Sequence, residues 1–235
     1  MFRYDVLCIG SATVDHFLTI EQPFSSVRPG DKILVKESTV FTGGGANNAA
    51  CALAKLGLKA KVLTKLGSDH NADFITKDLK KFGVKNIARH PSRKATDFAT
   101  IISSTKEKDR IIYVHKGASE DLHECDYAQH QLWADWLYLA SVTGEAFKTG
   151  KAIVAYAHAK GKRILFNPSL YFAKKGAHYV GSILRATNIL VLNKEEAQAL
   201  LHDARSNTEH LLLKLWKLGP ETVVITDGSK PLHAY

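Results

Sequence analysis

Thr42-Gly43-Gly44-Gly45-Ala46-Asn47-Asn48-Ala49-Ala50 joins two different hydrophobic periods. Before it, Val35 to Phe41 is a β-branched and aromatic run that reads as a strand; after it, Ala46, Ala49, Ala50, Leu53 and Ala54 recur at helical spacing until Gly57. A glycine hinge therefore hands a strand over to a buried helix. Three consecutive glycines remove three Cβ atoms and permit positive φ, so a ligand can approach bare N–H groups where the helix start is partially positive. Glycine-rich turns also serve packing alone, and the glycines by themselves leave both readings open. The common phosphate loops do not fit: no Lys-Ser or Lys-Thr pair follows as in a Walker loop, and a G-x-G-x-x-G reading fails at Asn48.

Outward from this loop, 235 residues at 45% hydrophobic and 23% charged suffice for one substantial core, and a single domain over 1–235 is expected. Cys8, Cys51 and Cys125 are odd in number, far apart and form no C-x-x-C, which suggests neither a disulfide framework nor a zinc knuckle and favours a reducing cytoplasm. His123, Cys125 and His130 lack a fourth metal partner and read as a surface loop. The net charge of +9 suits a polyanion such as ATP as well as nucleic acid. Its lysines are scattered singly over helical segments with no aromatic-interleaved stripe, so no nucleic-acid partner is expected. No apolar run approaches the ~18 residues of a membrane span, and the N-terminus has no signal-peptide pattern, so a soluble, unprocessed protein is expected.

Along the chain, Tyr4 to Ile9 reads as a buried strand closed by Gly10, and Ser11 to Leu18 follows with alternating apolar residues. Strands are expected at Ala60 to Leu66, Trp136 to Val142, Arg163 to Phe166, Ile189 to Leu192 and Thr222 to Thr226. Helices are expected at Asn71 to Phe82, Glu145 to Lys160, Lys194 to His202 and Thr208 to Leu218. Such β-α-β repetition predicts an α/β fold with a mostly parallel sheet covered by helices on both faces. The extended segments at about 12–20, 31–41 and 95–117 stand outside that alternation, and Ala95 to Ser103 with Arg110 to His115 reads as a hairpin.

Gly44-Gly45-Ala46-Asn47-Asn48-Ala49-Ala50, then Gly57 and Gly67, resembles the first signature of the ribokinase (phosphofructokinase B type) family of carbohydrate kinases. The resemblance implies a ribokinase-like three-layer α/β/α sandwich, with the extra extended segments forming a small β-sheet lid over a sugar pocket. By its motif Gly43, Gly44 and Asn48 would hold sugar hydroxyls, and Asp15 would accept from them. An amide gives and takes hydrogen bonds and an ionised carboxylate is a strong acceptor, so both suit a polyol. Without the family, Asp15 reads as a strand-end residue satisfying a turn.

In the second half, Asn193-Lys194-Glu195-Glu196 reads as an N-cap with a capping box. It also matches the family's N-x-x-E, in which Asn193 and Glu196 would organise waters around Mg2+. Thr222 to Gly228 resembles the family's nucleotide turn through Thr226 and Gly228, although an ordinary Asp-Gly hairpin explains it equally. Asn167, in Asn167-Pro168-Ser169, occupies the place of a polar loop that in similar kinases faces the ATP phosphates. The resemblance thus implies an ATP- and Mg2+-dependent transfer of the γ-phosphoryl group to a sugar hydroxyl. A nucleoside kinase or a non-catalytic sugar-binding protein is the alternative, with a homodimer through the lid as a further expectation. Some ribose-specific members of the resembled family use a carboxylate near the end of the strand that closes at Val142 here; none occurs before Glu145, which weakens ribose as the substrate. No match to the family's second signature, D-T-x-G-A-G-D, occurs, so no catalytic residue is assigned and a C-terminally incomplete domain is expected. In the family that segment supplies the Asp that takes the proton from the sugar hydroxyl, and lacking such a base should cost roughly 10²–10⁴ in rate.

Overall fold

Strand β1 (Val6–Ile9) is buried at all four positions. Its alternate side chains enter different cores: Leu7 and Ile9 join one, Val6 and Cys8 the other. A strand dry on both faces belongs in the middle of a parallel sheet with helices on either side. The computed structural model, which describes residues 4–235, has that architecture. Its main sheet has eight strands in the order β12-β11-β10-β9-β8-β1-β4-β5. They are β4 (Ala60–Leu63), β5 (Lys85–Asn86), β8 (Trp136–Leu139), β9 (Arg163–Phe166), β10 (Ile189–Asn193), β11 (Thr222–Asp227) and β12 (Lys230–Ala234). All neighbours run parallel except β11 and β12.

Helices α1 (Gly45–Lys55) and α2 (His70–Lys81) bury Ala46, Ala50, Ala72 and Ile75 against the Val6 and Cys8 side. The opposite face carries α3 (Glu145–Ala159), α5 (Ala177–Ala186), α6 (Lys194–Leu201) and α7 (Thr208–Trp216), with the short α4 (Leu170–Ala173) beside them. The expected three-layer α/β/α sandwich is therefore present. A separate four-stranded sheet, in the order β3-β2-β6-β7, is built from β2 (Thr13–Ile20), β3 (Val35–Gly43), β6 (Phe98–Ser104) and β7 (Asp109–His115). Its β6-β7 hairpin is antiparallel while β2 and β6 run parallel. The extended segments that stood outside the strand-helix alternation all belong to this small sheet.

Several boundaries differ from the sequence reading. The hairpin begins at Phe98 rather than Ala95, because Thr96 and Asp97 serve a buried junction: Asp69 accepts from Thr96 N–H at 2.7 Å, and Asp97 accepts from Gly117 and Ser119 N–H at 3.0 Å each. Strand β4 ends at Leu63, not Leu66; beyond it Asn86 takes over the Thr64 backbone, and Lys65 forms a buried ion pair with Asp126. Strand β8 stops at Leu139 instead of Val142. Helices α4 and α5 were not expected at all. Among the described residues no helix is long and apolar enough to cross a membrane, and no three His, Cys, Asp or Glu side chains converge as a metal group.

Candidate ligand site

Strand order reverses between β1, which leads on to β4, and β8, which returns to its other side. In open α/β sheets, crevices at such switch points beyond the strand C-termini are where ligands bind. Here the crevice holds Gly10 and the glycine loop: a Cβ on Gly10 would lie 2.8 Å from Ala140 Cβ, and one on Gly45 3.0 Å from the same atom. The backbones are packed as closely as their missing side chains permit.

The structure brings Asp15, Gly43 and Gly44 together. Gly43 pairs with Thr13 across the β2-β3 ladder, and a Cβ at Gly43 would stand 2.0 Å from Asp15 Oδ2. The carboxylate thus lies flat against the bare loop backbone, and its other oxygen accepts from Thr13 Oγ1 at 2.9 Å. Gly44 is the N-cap of α1 with φ 92° and ψ 138°, a conformation open essentially to glycine alone. A Cβ there would meet Ser11 O at 2.4 Å.

The two asparagines of the loop separate. Asn48 is exposed, and its N–H makes the first helical bond to Gly44 O at 2.9 Å. Asn47 is 1% exposed and shares the buried face of α1 with Ala46, Ala50 and Cys51, yet its Oδ1 has no hydrogen-bond partner. Sequence reasoning singled out Asn48 and passed over Asn47. The signal that could have found it is the helical period, which sets Asn47 among buried alanines, where an amide needs a reason to be.

The second group lies at the C-terminal ends of β9, β10 and β11. Asn193 and Thr226 are register partners on adjacent strands. Asn193 caps α6: its Oδ1 accepts from Glu196 N–H at 2.8 Å while Glu196 Oε2 accepts from Asn193 N–H at 2.9 Å. The reciprocal capping box is complete. Burial raises the Glu196 carboxyl pKa, opposed by the Asn193 N–H, with Glu195 adding to the rise. Asn167 is likewise engaged, donating to Val191 O at 2.7 Å and accepting from Tyr138 OH at 3.2 Å. Gly228, at φ 59°, turns β11 into β12, as an Asp-Gly hairpin would. Asp227 faces Lys194 at 3.5 Å and Lys230 at 3.4 Å; burial opposes its ionisation, but the two lysines outweigh it and hold its pKa below the ordinary value. The end of β8 also acquires a carboxylate that the linear sequence hid: Glu120 accepts from Thr143 Oγ1 at 2.6 Å.

The chain is similar to known proteins along nearly its whole length. The chain is 27% identical to ribokinase of Staphylococcus aureus over 239 aligned residues, 96% of this chain and 73% of that enzyme. It is 20% identical to a nucleoside kinase of Methanocaldococcus jannaschii, over 96% of this chain and 70% of the other. Among solved structures, Arabidopsis thaliana ribokinase complexed with ribose and ATP superposes with a TM-score of 0.82 at 19% identity, covering all of this chain and 75% of that one. The model for the pfkB family of carbohydrate kinases matches residues 3–235, and the chain belongs to that family.

Proposed function

We propose that the chain binds a sugar between the glycine loop and the small sheet, and that the reaction this site serves is ATP-dependent transfer of the γ-phosphoryl group to a sugar hydroxyl. The observation that carries the reading is Asp15 Oδ2 lying where a Gly43 side chain would begin. Such an acceptor beside bare backbone donors matches the alternating donor and acceptor demand of a polyol. Gly43 and Gly44 supply the backbone and Asp15 the carboxylate. The carboxamide comes from Asn47 in preference to Asn48, because Asn47 is held on the buried face of α1 whereas Asn48 is exposed and already wetted by solvent. The small sheet acts as a lid that keeps water from the transferring phosphate. Its outer residues Phe41, Ile112 and Tyr113 are exposed, and in this reading they pair with a second copy.

ATP and Mg2+ belong to the ends of β10 and β11. Glu196 keeps one oxygen outside its capping bond, with the Leu170 backbone N–H also directed at its carboxylate, and Asn193 keeps its Nδ2 donors. One carboxylate and one amide fit an ion that retains its own waters, held through those waters and not by a protein cage. Mg2+ supplies charge neutralisation for the phosphates when bound. Thr226 and Gly228 offer a hydroxyl and an open backbone beside it, and Asn167 retains one N–H for the phosphate side. Since the chain contains no D-T-x-G-A-G-D match, sugar binding is the first test and phosphotransfer the second. Titration calorimetry with ribose, fructose and adenosine should give heat with at least one of them, and Asp15→Ala should weaken it. Affinity indifferent to Asp15→Ala would remove the site; binding of adenosine alone would move the reading to a nucleoside kinase, in keeping with the similarity to the Methanocaldococcus enzyme.

A further inference from the structure

Among the described residues two buried side-chain atoms have no hydrogen-bond partner, Asn47 Oδ1 and Thr64 Oγ1. Helix period and strand register set both over the C-terminal end of β4. Ala60 and Val62 belong to the core beneath α1, and Leu63 to the opposite core, so strand alternation turns Thr64 toward α1. The register pairs Val6 with Ala60 and Cys8 with Val62. The β1-β4 ladder ends at Ile9 and Leu63, but Gly10 N–H still reaches Leu63 O at 3.4 Å, so the chain keeps this spacing one residue further and sets Thr64 beside Gly10. A Cβ on Gly10 would be 3.1 Å from Ala46 Cβ, which sets the first turn of α1 over Gly10. Ala49 and Leu53 line the side of α1 facing Trp136 and Tyr138 of β8. Asn47 and Cys51, four residues apart, share a ridge away from it, toward β4 in the order β8-β1-β4. Meanwhile Asn86 satisfies the Thr64 backbone on both sides, accepting from its N–H at 3.3 Å and donating to its carbonyl at 3.0 Å. The hydroxyl is left with nothing to do locally.

We propose that Asn47 and Thr64 share one buried water at the C-terminal end of β4, and that through it Thr64 positions the Asn47 carboxamide toward the ligand. The water accepts from the Thr64 hydroxyl and donates to Asn47 Oδ1, which fixes the amide plane and leaves the Asn47 N–H groups to face the site. Two such partners meet the minimum that a buried water needs. The ligand half of this assignment rests on the sugar-binding reading; the water half does not.

Thr64→Val removes the hydroxyl at nearly constant shape. With a shared water, the parent shows a water cross-peak to the Asn47 side-chain amide by NMR. Thr64→Val then shifts that amide, Thr64→Ser restores it, and ribose affinity falls about 3–10-fold in the valine variant. A dry orphaned hydroxyl gives the opposite pattern: a higher Tm for Thr64→Val, an unmoved Asn47 amide and no water cross-peak in the parent, which overturns the proposal. Should Thr64→Val fail to fold, the parent's cross-peak and its persistence in Thr64→Ser still decide. If the parent binds no ribose, the substrate reading fails for that sugar while the amide signals decide the water. If ribose binds equally to parent and valine variant, Thr64 is not a positioning residue.

Discussion

The glycine-loop end of the sheet and the β9-β11 end both carry polar side chains at strand C-termini, but they treat them oppositely. At β9-β11 the groups are consumed by the fold: Asn193 and Glu196 cap each other, Asn167 bridges Tyr138 and Val191, and Asp227 is held by two lysines. Around the glycine loop they are left over. Asn47 and Thr64 have orphaned atoms, and Asp15 Oδ2 lies against a position where no side chain fits. Leaving polar atoms dry and unpaired costs stability, so their persistence at one end asks for partners from outside the fold, a water or a ligand. A fully satisfied set is explained by folding alone and acquires a ligand only by sharing.

That contrast breaks first at the glycines. Gly44→Ala combines a positive φ with a Cβ 2.4 Å from Ser11 O; since backbone cannot rotate away, it should cost at least ~3 kcal/mol in urea unfolding. Gly228 also has positive φ, yet a Cβ there meets nothing within 4 Å. Gly228→Ala should therefore cost only ~1 kcal/mol. Equal losses would mean that the loop is no more constrained than a hairpin turn.

Asp15→Ala tests the leftover groups directly. Loss of charge-assisted hydrogen bonds to sugar should raise the sugar Kd about 10–100-fold, while Tm moves little, because the internal bond lost is one partly exposed contact from Thr13. A fall in stability without a change in affinity would make Asp15 one more consumed group. Asn193 offers the converse case. Asn193→Ala should cost ~1 kcal/mol by removing the N-cap, and Asn193→Asp, which still accepts from Glu196 N–H, should restore it. If MgATP stabilises the parent but neither variant, the amide donors serve the nucleotide as well.

The same division sets what could be read from sequence. The glycine loop, the alternation of strands and helices, and the capping box were legible because each is local: a period, a missing Cβ, an Asn three residues before a Glu. The separation of Asn47 from Asn48 was also encoded, in the period of Ala46, Ala50 and Cys51, but the family motif drew attention to Asn48. Helices α4 and α5 stayed hidden because Pro168 and Gly176, the latter at φ 79°, break the stretch into pieces, although Val180, Ile183 and Leu184 keep helical spacing. Glu120 beside Thr143 and Thr64 at the end of β4 were beyond reach, since only contacts between distant segments bring them to their places.

The smallest effect bears on whether the consumed end can open to a ligand. Glu196 has its pKa raised from 4.5, chiefly by burial, so the folded state holds its proton more tightly than the unfolded chain. Its contribution to stability is then greatest at low pH and is lost as pH climbs through the folded value. Glu196→Gln keeps an acceptor for the Asn193 N–H but does not titrate, so the parent should lose stability relative to this variant as pH rises from the unfolded carboxylate range through the folded value. A flat difference would mean that the carboxylate ionises as freely as in the unfolded chain. Adding MgATP sharpens the test: a hydrated cation beside Glu196 favours its ionised form, lowers the folded pKa and reverses the slope. A slope unchanged by saturating MgATP would leave Asn193 and Glu196 as a helix cap and nothing more.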